Sequence, residues 1–154
     1  MIKKDKRDKI LMQHLRKHAK ESLWKLSHKA KIPVSTIYHR LKQLEEQAIL
    51  KYTVLVNFSS LGYQGHSFLL LKIPRIDREE LIIYLENHPQ VNSIYEVNNG
   101  YDILSEVVFS DLKEVEDFRN DLVKDFPIEK TNIMPVIKSI RKETFVGDEN
   151  LYCD

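Results

Sequence analysis

The apolar residues of this 154-residue chain change their period once, and that change divides it into two kinds of structure. Up to Gln47 they recur at helical spacing. From Ala48 to Phe58 the pattern turns β-branched and apolar, and beyond it strand-like runs alternate with helical ones. A 3.6-residue stripe and a two-residue alternation cannot share one element, so the two stretches fold as different layers. Charge divides at the same place. Residues 1–52 hold 14 Lys/Arg against 5 Asp/Glu, a net of +9, while residues 53–154 carry −8, a split that the total of +1 conceals. An acidic body carrying a basic module points to a polyanionic partner, either nucleic acid or an anionic membrane surface.

The first half reads as three short helices. Leu11, Met12 and Leu15 form a stripe between Asp8 and His18. Ser22 is placed to cap a second helix carrying Leu23, Leu26 and Ala30, which Lys31-Ile32-Pro33 interrupts. A third begins at Val34 with Ile37, Leu41 and Leu44 facing inward. Tight joins and basic outer faces describe a helix-turn-helix. Off the third stripe lie Ser35, Thr36, Tyr38, His39, Arg40, Lys42 and Gln43. The hydroxyls and Tyr38 can bond phosphates, His39 and Arg40 can reach base edges, and Lys42 can neutralise backbone charge. Ala48 to Phe58 is expected to form the strand pair of a wing, with Lys51 meeting phosphate there.

In the second half Ser59-Ser60-Leu61-Gly62-Tyr63 breaks the pattern. A strand from His66 to Ile73 precedes a helix capped by Asp77. Strands over Val91–Val97 and Tyr101–Phe109 flank the turn Asn98-Asn99-Gly100. A second helix capped by Asp111 leads to a last strand over Ile133–Ile140. This order is the ferredoxin-like βαββαβ arrangement, a four-stranded antiparallel sheet with two helices on one face. Leu69, Leu71 and Ile73 share one face of the first strand and Phe68 and Leu70 the other. Both faces are apolar and only one can be covered by helices, which predicts association with a second copy.

Other functions find little support. No run approaches the ~18 apolar residues of a membrane span, and the charged amino terminus does not resemble a signal peptide. The lone Cys153 leaves no intramolecular disulfide, so a cytoplasmic location is expected. His14 and His18 stand one helical turn apart without converging ligands, so no metal is expected. Glu96, Asp102 and Glu106 could imitate an acid/base pair, yet no nucleophile, phosphate loop or metal motif accompanies them. Neither catalysis nor a cofactor is expected. Trp24 reads as a packing residue, and residues 146–154 as a mobile acidic tail.

Several stretches together carry a family resemblance. They are Asp8 with Leu11-Met12 and Leu15, the run from Ile32 through Tyr38-His39-Arg40 to Glu46, Ala48-Ile49-Leu50, Leu61-Gly62-Tyr63, and Tyr95-Glu96-Val97 followed by Tyr101-Asp102. Through them the chain resembles the Lrp/AsnC, or feast/famine, family of prokaryotic transcription regulators over nearly its whole length. The resemblance implies an α+β protein with a winged helix-turn-helix over residues 1–52 and a connecting strand over 53–61. A ferredoxin-like effector and dimerisation domain over 62–145 precedes the tail. It also implies double-stranded DNA as partner, homodimers that assemble further into tetramers or octamers, and a small amino-acid-like effector. The reading helix is then Val34 to Gln47, and the effector loop is Asn98, Asn99, Gly100, Tyr101 and Asp102. Ile133 and Met134 stand where family members often place small hydroxyl residues, which leaves either a more apolar effector or none. Asp102 is open to two roles, as a loop hydrogen-bonder or as the partner of an effector's ammonium. Competing readings are a small-molecule sensor without specific DNA recognition and a nonspecific DNA-coating protein. Arg40 and Lys42 on the reading helix weigh against the sensor.

Overall fold

A computed structural model of the chain describes residues 6–145. The expected tail and Cys153 lie outside the described residues. Two compact units divide between Leu55 and Val56 and again between Ser139 and Ile140. The expected boundary at 145 therefore moves back. Residues 140–145 go with the helices, where Arg16 donates to Glu143 Oε2 at 2.5 Å.

The first unit holds α1 (Lys6–Lys17), α2 (Leu23–Ala30) and α3 (Val34–Gln47). Leu11, Leu15, Leu26, Ile32, Ile37 and Leu44 form its core, with Met12, Leu23, Ala30, Leu41 and Ile49 packed around them. Each helix presents its apolar stripe inward because residues three and four apart share a face. Ser22 caps α2, its hydroxyl accepting from the Lys25 N–H at 3.4 Å. The helix stops at Lys31, which turns left-handed at φ 54°, and the Ser27 hydroxyl bonds the Ile32 carbonyl at 2.6 Å across the turn. Pro33 sits at the N-cap of α3, one place before the first turn, and leaves that end without a side-chain cap.

The expected wing strands are absent. Residues 50–57 belong to no helix or strand, and Leu50, Tyr52, Val54 and Leu55 are exposed. β-branched composition favours extension, but a strand forms only where a neighbour supplies backbone partners.

The second unit opens with a 3₁₀ turn, Phe58–Leu61, that closes on Gly62 at φ 92°, a conformation glycine adopts without strain. β1 (Gly65–Lys72), α4 (Arg78–Glu86), β2 (Val91–Glu96), β3 (Ile103–Phe109), α5 (Leu112–Asp125) and β4 (Lys130–Pro135) follow. The strands pair antiparallel in the order β2-β3-β1-β4, which is the ferredoxin-like topology. Leu69 lies opposite Ser105 on one side and Ile133 on the other. Leu69, Leu71, Ile103, Val107 and Phe109 pack with Leu81, Leu85, Val115, Phe118 and Leu122 into one core. On the opposite face Phe68, Leu70, Leu104 and Val108 are half-buried and Met134 is exposed. Gly65 starts β1 against the turn before α5, where a Cβ would stand 2.2 Å from the Asp111 carbonyl oxygen.

Several ends differ from expectation. β4 begins three residues earlier than expected, opposite the end of β1, and ends at Pro135, after which Val136 N–H still donates to the His66 carbonyl at 2.9 Å. Val97 N–H donates to the Asp102 carbonyl at 2.9 Å, which makes Asn98 to Tyr101 a turn and delays β3 to Ile103. Asp77 occupies the N-cap of α4 but makes no capping bond, because its backbone is already helical. Asp111 does cap α5, accepting from Glu114 N–H at 2.9 Å, while Glu114 accepts from Ser110 N–H at 3.1 Å.

His88 closes α4 with its ring 4.4 Å from Phe118 and 5.8 Å from Tyr84. Burial holds its imidazole below the usual range, and its Nδ1 is buried without a partner. A folded-state value lower than the unfolded one, about 6.5, means that protonation favours unfolding. The contribution is present above about pH 6.5 and is lost as pH falls through the folded-state value. Thermal melts at pH 7.5 and 5.0 are therefore expected to show a larger drop in Tm for the wild type than for His88→Leu. Equal drops would remove His88 from the account.

Candidate nucleic-acid interface and effector loop

Burial of Ile37 and Leu44 fixes which side of α3 faces solvent. Ser35, Tyr38, His39, Lys42 and Gln43 are exposed there, and Thr36 is half-buried. The Tyr38 and His39 rings meet edge to face with centroids 5.9 Å apart. This surface combines a hydroxyl, two aromatic donors and a cation on a rigid helix, a set able to bond both phosphates and base edges. Lys51 follows on the exposed segment after α3. That segment is tied back by the Tyr52 hydroxyl, which donates to Glu45 Oε1 at 2.8 Å. Partial desolvation, then the bond to the Glu45 carboxylate, pushes the Tyr52 phenol up to about 12.

Arg40 departs from the expectation that it reaches base edges. Its Nη1 donates to Asp8 Oδ1 at 2.7 Å, and the two side chains are only 21% and 18% exposed. The guanidinium bridges α3 to α1 and does not project with His39 and Lys42. Sequence position put it off the apolar stripe, but a neighbouring helix supplied a carboxylate that helical spacing within α3 does not reveal.

Trp24 also departs from expectation, being 68% exposed. With Lys25, His28 and Lys29 it forms the outer face of α2, opposite Leu26, over a depression of about 450 Å³ that Glu21 also lines. Lys29 bonds Glu21 and holds that carboxyl below its ordinary range. The spacing of Leu23, Leu26 and Ala30 already implies this outward face. His14 is half-buried and His18 exposed, and no group of three metal-ligating side chains occurs among the described residues.

The expected effector residues are only partly brought together. In the loop, Gly100 takes φ 76° and Lys130 Nζ lies 4.6 Å above the Tyr101 ring. Asp102 is a structural hydrogen-bonder: it accepts from Ile73 N–H at 3.1 Å and pairs with Arg78 at the start of α4. Ile133 packs toward the helices, whereas Met134 lies on the other face of the sheet. Alternation along a strand forbids both from lining one side. Arg78, Lys130 and Thr131, whose Oγ1 is buried without a partner, stand at this end of the sheet without a local sequence signal.

The Lrp/AsnC ligand binding domain matches residues 67–146. The HTH-type transcriptional regulator FL11 of Pyrococcus furiosus is 30% identical over 138 residues, which cover 89% of this chain and 91% of the relative. Its namesake from Pyrococcus horikoshii is 28% identical over 142 residues, with 91% and 93% covered. Among solved structures, a transcriptional regulator of Neisseria meningitidis in complex with L-Met aligns at a TM-score of 0.82. It shares 23% identity, with 91% of this chain and 94% of that one covered. LrpC of B. subtilis also aligns at 0.82 and 23% identity, covering 92% and 99%. At that identity the two structures speak to the fold alone.

The Arg40–Asp8 bridge has a measurable consequence. A double-mutant cycle with Asp8→Ala and Arg40→Ala is expected to give a coupling of about 0.5–3 kcal/mol in denaturant unfolding. Additive single effects would mean that the bridge contributes nothing to holding α1 and α3 together.

Proposed function

The chain belongs to the Lrp/AsnC family of transcription regulators, and from that premise we propose that α3 is the DNA-reading helix of a helix-turn-helix, paired in a dimer and tuned by an apolar amino acid. The observation that carries the reading is the exposed face of α3, Ser35, Tyr38, His39, Lys42 and Gln43, within a half of the chain that holds a net of +9. A cationic helical unit lowers the cost of approaching a duplex by releasing counterions. Polar side chains on a helix narrow enough for the major groove then read base edges. In this reading Ser35, Thr36 and Tyr38 hold phosphates and His39, with Gln43 one turn on, reads bases. Lys42 and Lys51 supply charge, and Arg40 sets the pose of α3 through Asp8.

The sheet supports the dimeric reading. Two helices cover one face, and among the described residues the sheet unit has no further helix for Phe68, Leu70, Leu104 and Val108 on the other. A second copy brings the same apolar surface, and burying it contributes roughly 25 cal/mol per Å². Two reading helices then address half-sites separated by a helical turn of DNA or its multiples. The effector belongs near the turn from Asn98 to Asp102. With Asp102 occupied by Arg78 and Ile73, and Ile133 apolar, a polar side chain finds few partners there. An effector acts only by favouring one arrangement of copies over another.

The test is binding of the full chain to a duplex selected from random DNA and to its scrambled version, at several salt concentrations. His39→Ala is expected to cost about 1–3 kcal/mol on the selected duplex and little on the scrambled one. Lys51→Ala weakens both and reduces the salt slope by about one. L-Methionine or L-leucine shifts the binding midpoint, and L-aspartate leaves it unchanged. Equal affinity for selected and scrambled DNA would leave only nonspecific coating.

A further inference from the structure

We propose that the outer face of α2 is a second nucleic-acid site, which holds an unpaired base of a single strand on Trp24. This site is separate from the duplex-reading face of α3. Trp24 is 68% exposed on a helix whose apolar side, with Leu26 buried, points the other way. The core of this unit closes without the indole, so packing does not account for it. Its ring lies 5.8 Å from that of His28, one turn on, with 42° between the planes. The two rings are therefore not stacked on each other, and the indole keeps surface that a third planar group can cover. Lys25 and Lys29, also one turn apart, are exposed beside them. An aromatic ring among cations suits a single strand, whose bases stack on the ring while its phosphates meet the ammoniums. A duplex keeps its bases stacked inside and offers Trp24 only backbone. An acidic peptide satisfies the lysines and leaves the indole bare.

The depression of about 450 Å³ that these residues line also contains the Glu21 carboxylate, whose side chain is only 13% exposed. Lys29 bonds its Oε1 and keeps the group ionised, whereas Oε2 is buried and has no hydrogen-bond partner among the described residues. A buried carboxylate oxygen left unbonded is costly, so the site lacks a donor. Lys29 is itself 46% exposed, and its flexible stem can carry the ammonium outward to a phosphate. The carboxylate is then open to an N–H from the base. Cytosine, adenine and guanine present an amino group there. Thymine and uracil present one ring N–H between two carbonyl oxygens, which a carboxylate repels. The site therefore selects an amino-bearing base, stacked on Trp24, with Lys25 and Lys29 on the adjoining phosphates.

Trp24 is the chain's single tryptophan, so its fluorescence reports the site directly in the full chain. Oligo(dC) is expected to quench it at concentrations at least about tenfold lower than oligo(dT), as a hydrogen bond to a charged acceptor implies. A strand of equal length without bases, and free CMP, should quench only at far higher concentrations. Glu21→Gln should bring oligo(dC) down to the level of oligo(dT). With a labelled strand read by anisotropy, Trp24→Ala should bind oligo(dC) at least about fivefold more weakly. Its thermal melt and its affinity for the selected duplex should stay at wild-type values. An abasic strand or CMP that matches oligo(dC), equal quenching by oligo(dC) and oligo(dT), or a Trp24→Ala loss shared equally by the duplex overturns the proposal. The expected quenching from a chain that binds no selected duplex overturns the reading of α3 and leaves this site standing.

Discussion

β1 runs through the middle of the sheet with β3 on one side and β4 on the other, and it is apolar on both faces. Leu69, Leu71 and Ile73 are fully buried under the helices, while Phe68 and Leu70 face the other way and stay half-buried. A two-residue period leaves no alternative, since shifting the register by one residue would only exchange the two sets. The chain supplies α4 and α5 to one face. The other face, with Phe68, Leu70, Leu104 and Val108 half-buried, receives no helix from the sheet unit among the described residues. Glu106 on this face is tolerated because Asn92, Ser93 and His66 satisfy its carboxylate.

The helical unit answers a different constraint. Its core is small, six buried residues with five partly buried ones packed against them. The Asp8–Arg40 bridge and the Ser22 cap add polar definition to that packing. Charge is then free to concentrate outside. Lys42, Lys51 and the Trp24–Lys25–His28–Lys29 face of α2 all point away from the core. A basic unit of this kind can gain affinity for a polyanion without altering the sheet unit.

What was legible in the sequence was local. The limits of α3 follow from the stripe Ile37, Leu41, Leu44 and the break at Pro33, and Ser22 and Asp111 cap the helices as their positions suggest. The alternation in β1 was visible for the same reason, because it is decided by neighbours two residues away. Features decided by distant residues were not. Asp8 lies 32 positions from Arg40, and nothing near Arg40 announces a carboxylate. Arg78 claims Asp102 across 24 positions. The start of β4 is set by the end of β1, and the stretch after α3 has strand composition without a strand partner. Trp24 shows the limit of residue type as a guide, since a large aromatic ring was expected inside and stands in solvent.

In the proposed reading the helical unit, with its net of +9, holds the DNA, and the acidic sheet unit stays off it. Lysine labelling of the full chain, read by mass spectrometry with and without a saturating selected duplex, tests this directly. Lys42 and Lys51 are exposed on the proposed interface, and Lys113 and Lys124 are exposed on α5 of the sheet unit. Labelling of Lys42 and Lys51 is expected to fall several-fold on DNA while that of Lys113 and Lys124 stays unchanged. Protection of Lys113 and Lys124 with none at Lys42 and Lys51 would contradict it.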